Sequence, residues 1–307
     1  MNRRSILKGA LGGVLSLTLP PFARDAFAQA SPAVIPVSEG FVMLTGAGGN
    51  ILVRTASTGQ VLVDSGAAEF TDAVLARLRK LPGEGRVTTL FNTHWHREQV
   101  GGNLALGRSG ATIIAHEKTR AHLATDYYRF DEDRYEKALP AEARPTVTFF
   151  TGDRTLAGDK PIEYGHLLEA HTDGDIYVFF RDANVLAAGD AISPQRDPEL
   201  DWFGGGWLGG RVDAKERLLK LTDAQTRIVP SYGLVVGRTE LQAEFDMTRM
   251  LFDRMLDLLK QGMSAQDMLD AGLMKDLNRT FRDPFRFAYD AHKGYWAHHN
   301  SLGGEVL

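Results

Sequence analysis

Two stretches of this chain repeat one plan, and that plan limits the folds open to it. ILVRTASTGQVLVDSG (51–66) and IYVFFRDANVLAAGD (176–190) each read as a strand, a polar turn and a second strand ending in Asp beside Gly. Apolar and β-branched residues fill the runs, while Gly, Asn and Asp punctuate them. Each unit brings an acidic side chain, Asp64 or Asp190, to a strand end. A duplicated layout of this kind predicts two comparable halves that deliver polar residues to one seam.

The segments around these units alternate strand and helix, which is an α/β pattern. Strands are expected at Phe41–Thr45, Ile51–Thr55, Gln60–Asp64, Val87–Phe91 and Ala111–Ala115. Thr71-Asp72 opens a helix in which Val74, Leu75, Leu78 and Leu81 recur at helical spacing, and Pro82-Gly83 stops it. Residues 117–138 are charged and aromatic and read as a helical excursion, with 126–136 an exposed helix. A second strand series covers roughly 146–150, 161–169, 175–180, 184–188 and 226–229, with an amphipathic stretch at 212–221. Beyond residue 240 the chain is helix-rich, and Leu251, Met255 and Leu258 predict helices packed on the domain or on a second copy.

The chemistry concentrates in NTHWHREQVGGN (92–103). His94 and His96 alternate in a loop after an apolar strand, so both imidazoles can turn to one point, as a tetrahedral metal site requires. Gly101-Gly102 allows close backbone packing behind them. Downstream, EAHTDGD (169–175) offers His171 and VLAAGDAI (185–192) offers Asp190, each from a strand end.

Taken in order, these segments resemble the metallo-β-lactamase superfamily over roughly residues 38–237. Asp64 matches the family's first Asp, His94 and His96 the first two histidines of HxHxDH, His171 the third motif and Asp190 the fourth. The resemblance implies a four-layer αββα sandwich of two mixed β-sheets with helices on the outer faces, here followed by C-terminal helices. It assigns His94, His96 and His171 to a first metal site, with Asp190 bridging to a second. The second set departs from the family pattern. Glu98-Gln99 stands where the family has Asp-His, and Tyr232 in Pro230-Ser231-Tyr232-Gly233 stands where it has a final His. An amide and a phenol are weak ligands for a borderline metal, so one tight Zn²⁺ is expected and the second site weak or empty. Restoring Gln99→His with Tyr232→His should then raise the metal content toward two.

Three histidines with an open fourth position lower a bound water's pKa to about 7. The expected activity is hydrolysis of a small ester, thioester, lactone or amide. Glu98 is the candidate base and Tyr232 the candidate oxyanion donor, with Asp190 beside the metal. Asp64 is expected to be a buried organiser of the histidine loop. Two alternatives stand beside hydrolysis. One is an Fe²⁺ oxygenase of persulfide dioxygenase type, using His94, His171 and Asp190; the other is a ligand-binding relative without catalysis. Among the remaining histidines, His116 and His122 read as partly exposed or capping, His166 as facing elsewhere, and His298-His299 as a solvated end. DWFGGGWLGG (201–210) reads as a substrate-facing flap.

The first 28 residues carry their own pattern: Arg3-Arg4, an apolar run from Gly9 to Leu19, and Ala26-Phe27-Ala28 as a small-x-small cut site. They resemble a twin-arginine export signal cut after Ala28 or Ala30, which implies a periplasmic protein. Residues 29–239 then form the catalytic domain and 240–307 a helical extension that is also a candidate homodimer face. No cysteine occurs among the 307 residues, which removes disulfides and thiolate sites. The net charge is −4 with no basic run beyond the N-terminal segment, against a nucleic-acid partner.

Overall fold

The computed structural model of the chain describes residues 31–129, 133–157 and 160–301; the proposed export segment lies outside them. Seven strands form the first sheet. In chain order they are β1 (Ala33–Ser38), β2 (Phe41–Ala47), β3 (Gly49–Ala56), β4 (Gly59–Val63), β5 (Val87–Phe91), β6 (Thr112–His116) and, after a small hairpin, β9 (Val147–Phe149). They lie side by side in that order, antiparallel from β1 to β4 and parallel from β4 onward. The second sheet runs β10 (Asp153–Leu156), β11 (Ile162–His166), β12 (Ile176–Phe180), β13 (Val185–Gly189) and β14 (Arg227–Pro230). Its last pair is parallel and the others antiparallel. The two echoing stretches are therefore the hairpins β3–β4 and β12–β13, each followed by a parallel neighbour.

Alternation along the strands sorts side chains into three cores. Phe41, Met43, Leu52, Val63 and Phe91 of the first sheet meet Ile176, Val178, Phe180, Val185 and Ala187 of the second. Leu44, Ile51, Val53, Leu62 and Leu90 point the other way, onto Val74 and Leu78 of helix α1 (Thr71–Leu78) and Leu106 of α3 (Asn103–Arg108). On the far face Tyr177, Phe179, Leu186 and Ala188 pack on Ala214 and Leu218 of α5 (Leu208–Leu221) and Leu241 of α6 (Arg238–Leu259). That is the αββα sandwich. Each buried Val, Leu, Ile, Phe or Met among them contributes roughly 1.5–3 kcal/mol by leaving water.

A fourth apolar cluster joins α6, α7 (Ala265–Asp270) and α8 (Pro284–Ser301) to Leu200 and Leu208. Among the described residues, no helix is long and apolar enough to cross a membrane. One stretch departs from the expected helix. Among the described residues of 117–138, the one helix is the short α4 (Glu117–Ala124), followed by the antiparallel pair β7 (Tyr127–Arg129) and β8 (Arg134–Glu136). Tyr127, Tyr128 and Tyr135 suit a hairpin better than a helix, because aromatic pairs meet across strands: Tyr128 and Tyr135 are 5.1 Å apart.

Candidate metal centre

The C-terminal ends of β4, β5, β13 and β14 open onto one edge of the sandwich, where loops can carry chemistry without breaking sheet bonds. Backbone bonds stitch the two halves there: Ile176 N–H donates to Thr93 O at 2.8 Å, and Asn50 N–H to Ser231 O at 2.7 Å. Gly101 holds the loop after β5 close to the chain behind it. A Cβ at that position would stand 2.1 Å from Ala68 N, so only glycine fits.

His94, His96 and His171 converge here, all buried, with one ring nitrogen from each lying within 4.8 Å of the others. The outer nitrogen of every ring is spoken for. Thr93 Oγ1 gives its proton to Asp64 Oδ2 at 2.8 Å, so at 3.0 Å from His94 Nδ1 it can only accept. His96 Nε2 lies 3.0 Å from the Asp201 carboxylate, and His171 Nδ1 lies 2.9 Å from the Glu199 carbonyl oxygen. Carboxylate and carbonyl oxygens accept, so these nitrogens carry the protons. The inward nitrogens, His94 Nε2, His96 Nδ1 and His171 Nε2, are left as lone pairs. His94 Nε2 is buried with no hydrogen-bond partner, and the other two face each other at 3.1 Å. Burial holds the His94 and His171 imidazoles neutral, well below the usual histidine range. Three converging lone pairs repel one another unless a cation sits among them. This donor set fits one metal ion.

The surroundings fix this arrangement. Asp64, in the left-handed region at φ 63°, accepts from Thr93 N–H and Oγ1–H at 2.8 Å each, and burial pushes its carboxyl up to about 8. It is the organiser the sequence suggested. Asp175 does the same for His171, accepting from its N–H at 2.5 Å and from Thr172. Arg211, fully buried, donates to the Glu199 carbonyl at 2.7 Å and polarises the acceptor of His171.

With this geometry in place, comparison with known proteins is decisive. The family model for the metallo-beta-lactamase superfamily matches residues 45–233. The chain belongs to that superfamily. Two proteins named metallo-beta-lactamase type 2, from Bacillus cereus and Bacillus sp. (strain 170), are each 26% identical to it over 201 residues. Those matches cover 65% of this chain and 73% and 72% of the two relatives. Among solved structures, a metallo-beta-lactamase from Pontibacter korlensis matches with a TM-score of 0.56 at 23% identity. It aligns over 71% of this chain and 99% of its own. A stereoselective inverting sec-alkylsulfatase from Pseudomonas sp. matches at 0.63 and 16% identity, over 89% of this chain and 50% of its own. At these identities the solved structures speak for the fold.

Within the superfamily pattern, the second-site positions look different from the first. Asp190 is buried, its Oδ2 3.7 Å from His94 Nε2 and 3.9 Å from His171 Nε2. Its Oδ1 accepts from Arg196 Nη2 at 2.9 Å, a residue the sequence reading passed over. Gln99 is buried and its Nε2 lies 3.4 Å from the Tyr232 hydroxyl. Burial and the Asp190 charge push the Tyr232 phenol up to about 12. Glu98 is exposed.

The other histidines lie apart from the metal centre. His116 is buried rather than partly exposed; it caps α4 by accepting from Lys118 N–H, and it stacks on His166 at 3.9 Å. His122 stacks on Trp95 and lies 3.1 Å from Asp173 Oδ1. His298 is not a solvated end: it stacks on Trp207 at 3.8 Å and lies 2.7 Å from Glu169. The side chain of His299 falls outside the described residues. The 201–210 segment divides its roles. Asp201 supports His96, Trp207 packs on Phe252 of α6, and Phe203 stays exposed beside Tyr127.

Proposed function

We propose that this chain is a metal-dependent hydrolase with one tight zinc ion, acting on a small ester, thioester, lactone or amide. The observation that carries the proposal is the trio of inward lone pairs on His94, His96 and His171, each fixed by an acceptor on the opposite side of its ring. His94, His96 and His171 would hold a divalent ion, whose chemistry when bound would be to polarise a carbonyl oxygen and to lower the pKa of a coordinated water to about 7. Asp190 Oδ2 faces the same point and adds negative charge beside it. In this reading Glu98, exposed on the short helix that follows His96, takes a proton from the attacking water. In the same reading Tyr232, half-buried, donates from its hydroxyl to the oxyanion that forms. Export through the twin-arginine route, with cleavage after Ala28 or Ala30, belongs to the same reading.

Elemental analysis of the purified chain tests the proposal, followed by a panel of esters, thioesters, lactones, a β-lactam and a secondary alkyl sulfate. About one zinc per chain is expected, and His96→Ala should remove metal and turnover together. Iron with a visible chromophore would replace hydrolysis by oxygenase chemistry. A metal-free native chain would end both.

A further inference from the structure

We infer that Arg196 is the resident second cation of this cleft: its guanidinium takes the place where a second metal would bind and restricts the chain to one ion. The inference rests on the three-histidine metal reading above and extends it to the other half of the site.

The two oxygens of Asp190 face different neighbours. Oδ2 faces the Nε2 atoms of His94 and His171, at 3.7 and 3.9 Å. Oδ1, the oxygen left to face a second ion, accepts from Arg196 Nη2 at 2.9 Å. The guanidinium also lies over the Tyr232 ring, its central carbon 3.6 Å from the centroid, well inside cation–π range. Tyr232 in turn meets Gln99. Arg196 thus touches the bridging carboxylate and one of the two residues that stand where the superfamily has second-site histidines.

The donor types agree with this placement. A planar guanidinium prefers a carboxylate edge and an aromatic face, both of which it has here. A divalent ion prefers imidazole and carboxylate, and at Gln99 and Tyr232 it would meet an amide and a phenol. Read together, the departures at 99 and 232 and the arginine at 196 amount to one exchange: two ligands out, one fixed charge in. The charge also has an anchor beyond the metal site, since Arg196 Nη2 lies 3.3 Å from Glu199 Oε2. Glu199 is the residue whose carbonyl orients His171, so the arginine and the first metal site share a support.

This changes what restoring the superfamily ligands should do. Sequence alone predicts that Gln99→His with Tyr232→His rebuilds the second site. With Arg196 in place those imidazoles would surround a cation already bound to Asp190, and no second ion should enter.

The test is metal stoichiometry, read without any substrate. The full chain and its variants are stripped with chelator, equilibrated with Zn²⁺ and assayed by elemental analysis; Co²⁺ loading gives a spectroscopic count. Circular dichroism and thermal melts establish that each variant is folded. The native chain should hold one ion, and Gln99→His/Tyr232→His should also hold one. Adding Arg196→Met to that pair should admit the second ion, whereas adding Arg196→Lys, which keeps the charge, should not. If the methionine triple variant does not fold, Arg196→Gln in the same background replaces it. Two ions in the pair that keeps Arg196, or one in the folded charge-free triple, would overturn the assignment. A native chain that binds no ion at all removes the three-histidine reading itself, an outcome distinct from either.

Discussion

Asp201 supports His96 through a charge-assisted bond, and its removal is a sharp test of the ring of acceptors behind the metal ligands. Asp201→Ala should weaken zinc binding by about 10–100-fold, measured by competition with a chromogenic chelator. Unchanged affinity would separate Asp201 from the site. At the same scale, Glu98→Gln should spare the metal and cut turnover by roughly 10²–10⁴-fold if Glu98 is the base, while full activity would end that role. The ligands themselves were legible because spacing marks them: His94 and His96 alternate, and His171 and Asp190 end strands. Their supports were not. Asp201 is separated from His96 by 105 positions, and the acceptor for His171 is a backbone carbonyl, which has no letter in a sequence. Arg196 escaped for a related reason: one arginine in a polar loop looks solvated until the fold sets Asp190 and Tyr232 against it.

Elements show a second pattern, in which strand–strand contacts set properties that no single strand carries. His116 ends β6 of one sheet and His166 ends β11 of the other, and the two rings stack at 3.9 Å. Burial and the His116 charge lower the His166 pKa from 6.5 to about 4, with His116 lowered as well; Lys118, Asp173 and, at His116, Glu117 are the other charges nearby. The unfolded chain therefore binds more protons than the folded one between about 4 and 6.5. Stability present above 6.5 is lost as the pH falls through that window, by up to about 3 kcal/mol for His166. His166→Phe keeps a ring in the stack but cannot protonate, so denaturation at pH 7 and pH 5 should show a smaller acid loss than in the native chain. Equal losses would assign the effect to other groups. Asp64 and Asp175, raised to about 8 and about 7, act in the opposite sense and cancel in this comparison. Most elements could be read from period and turn residues, as with α1 and the two hairpins ending at Asp64 and Asp190. The β7–β8 hairpin could not, because its charged, aromatic stretch lacks a period and its pairing partners make it a hairpin.

On the scale of the whole molecule, two questions join the sandwich to the rest of the chain. Export is the first: Arg3→Lys with Arg4→Lys should leave the protein in the cytoplasm, and normal delivery of that variant would remove the twin-arginine reading. The second concerns the C-terminal helices. Leu200 and Leu208, which flank the Asp201 loop, share an apolar cluster with Phe287, Ala288 and Ala291 of α8. Gly294 of the same helix lies so close that a Cβ there would stand 3.1 Å from Gly206 O. Gly206 is itself confined, since its own Cβ would fall 1.9 Å from His171 O. A helix pressed on Gly206 thus bears on the backbone of a metal ligand through one intervening residue, while the core between the two sheets draws nothing from α8. Gly294→Leu should therefore displace the 199–207 loop and leave the sandwich folded. The expected signs are zinc affinity lowered by about the 10–100-fold that loss of outer support costs, and new proteolytic cleavage within residues 199–210 mapped by mass spectrometry. Deletion of residues 284–307 should give the same two signs more strongly. A Gly294→Leu chain with native zinc affinity and an uncut loop would show that the helices pack on the domain without supporting its metal centre.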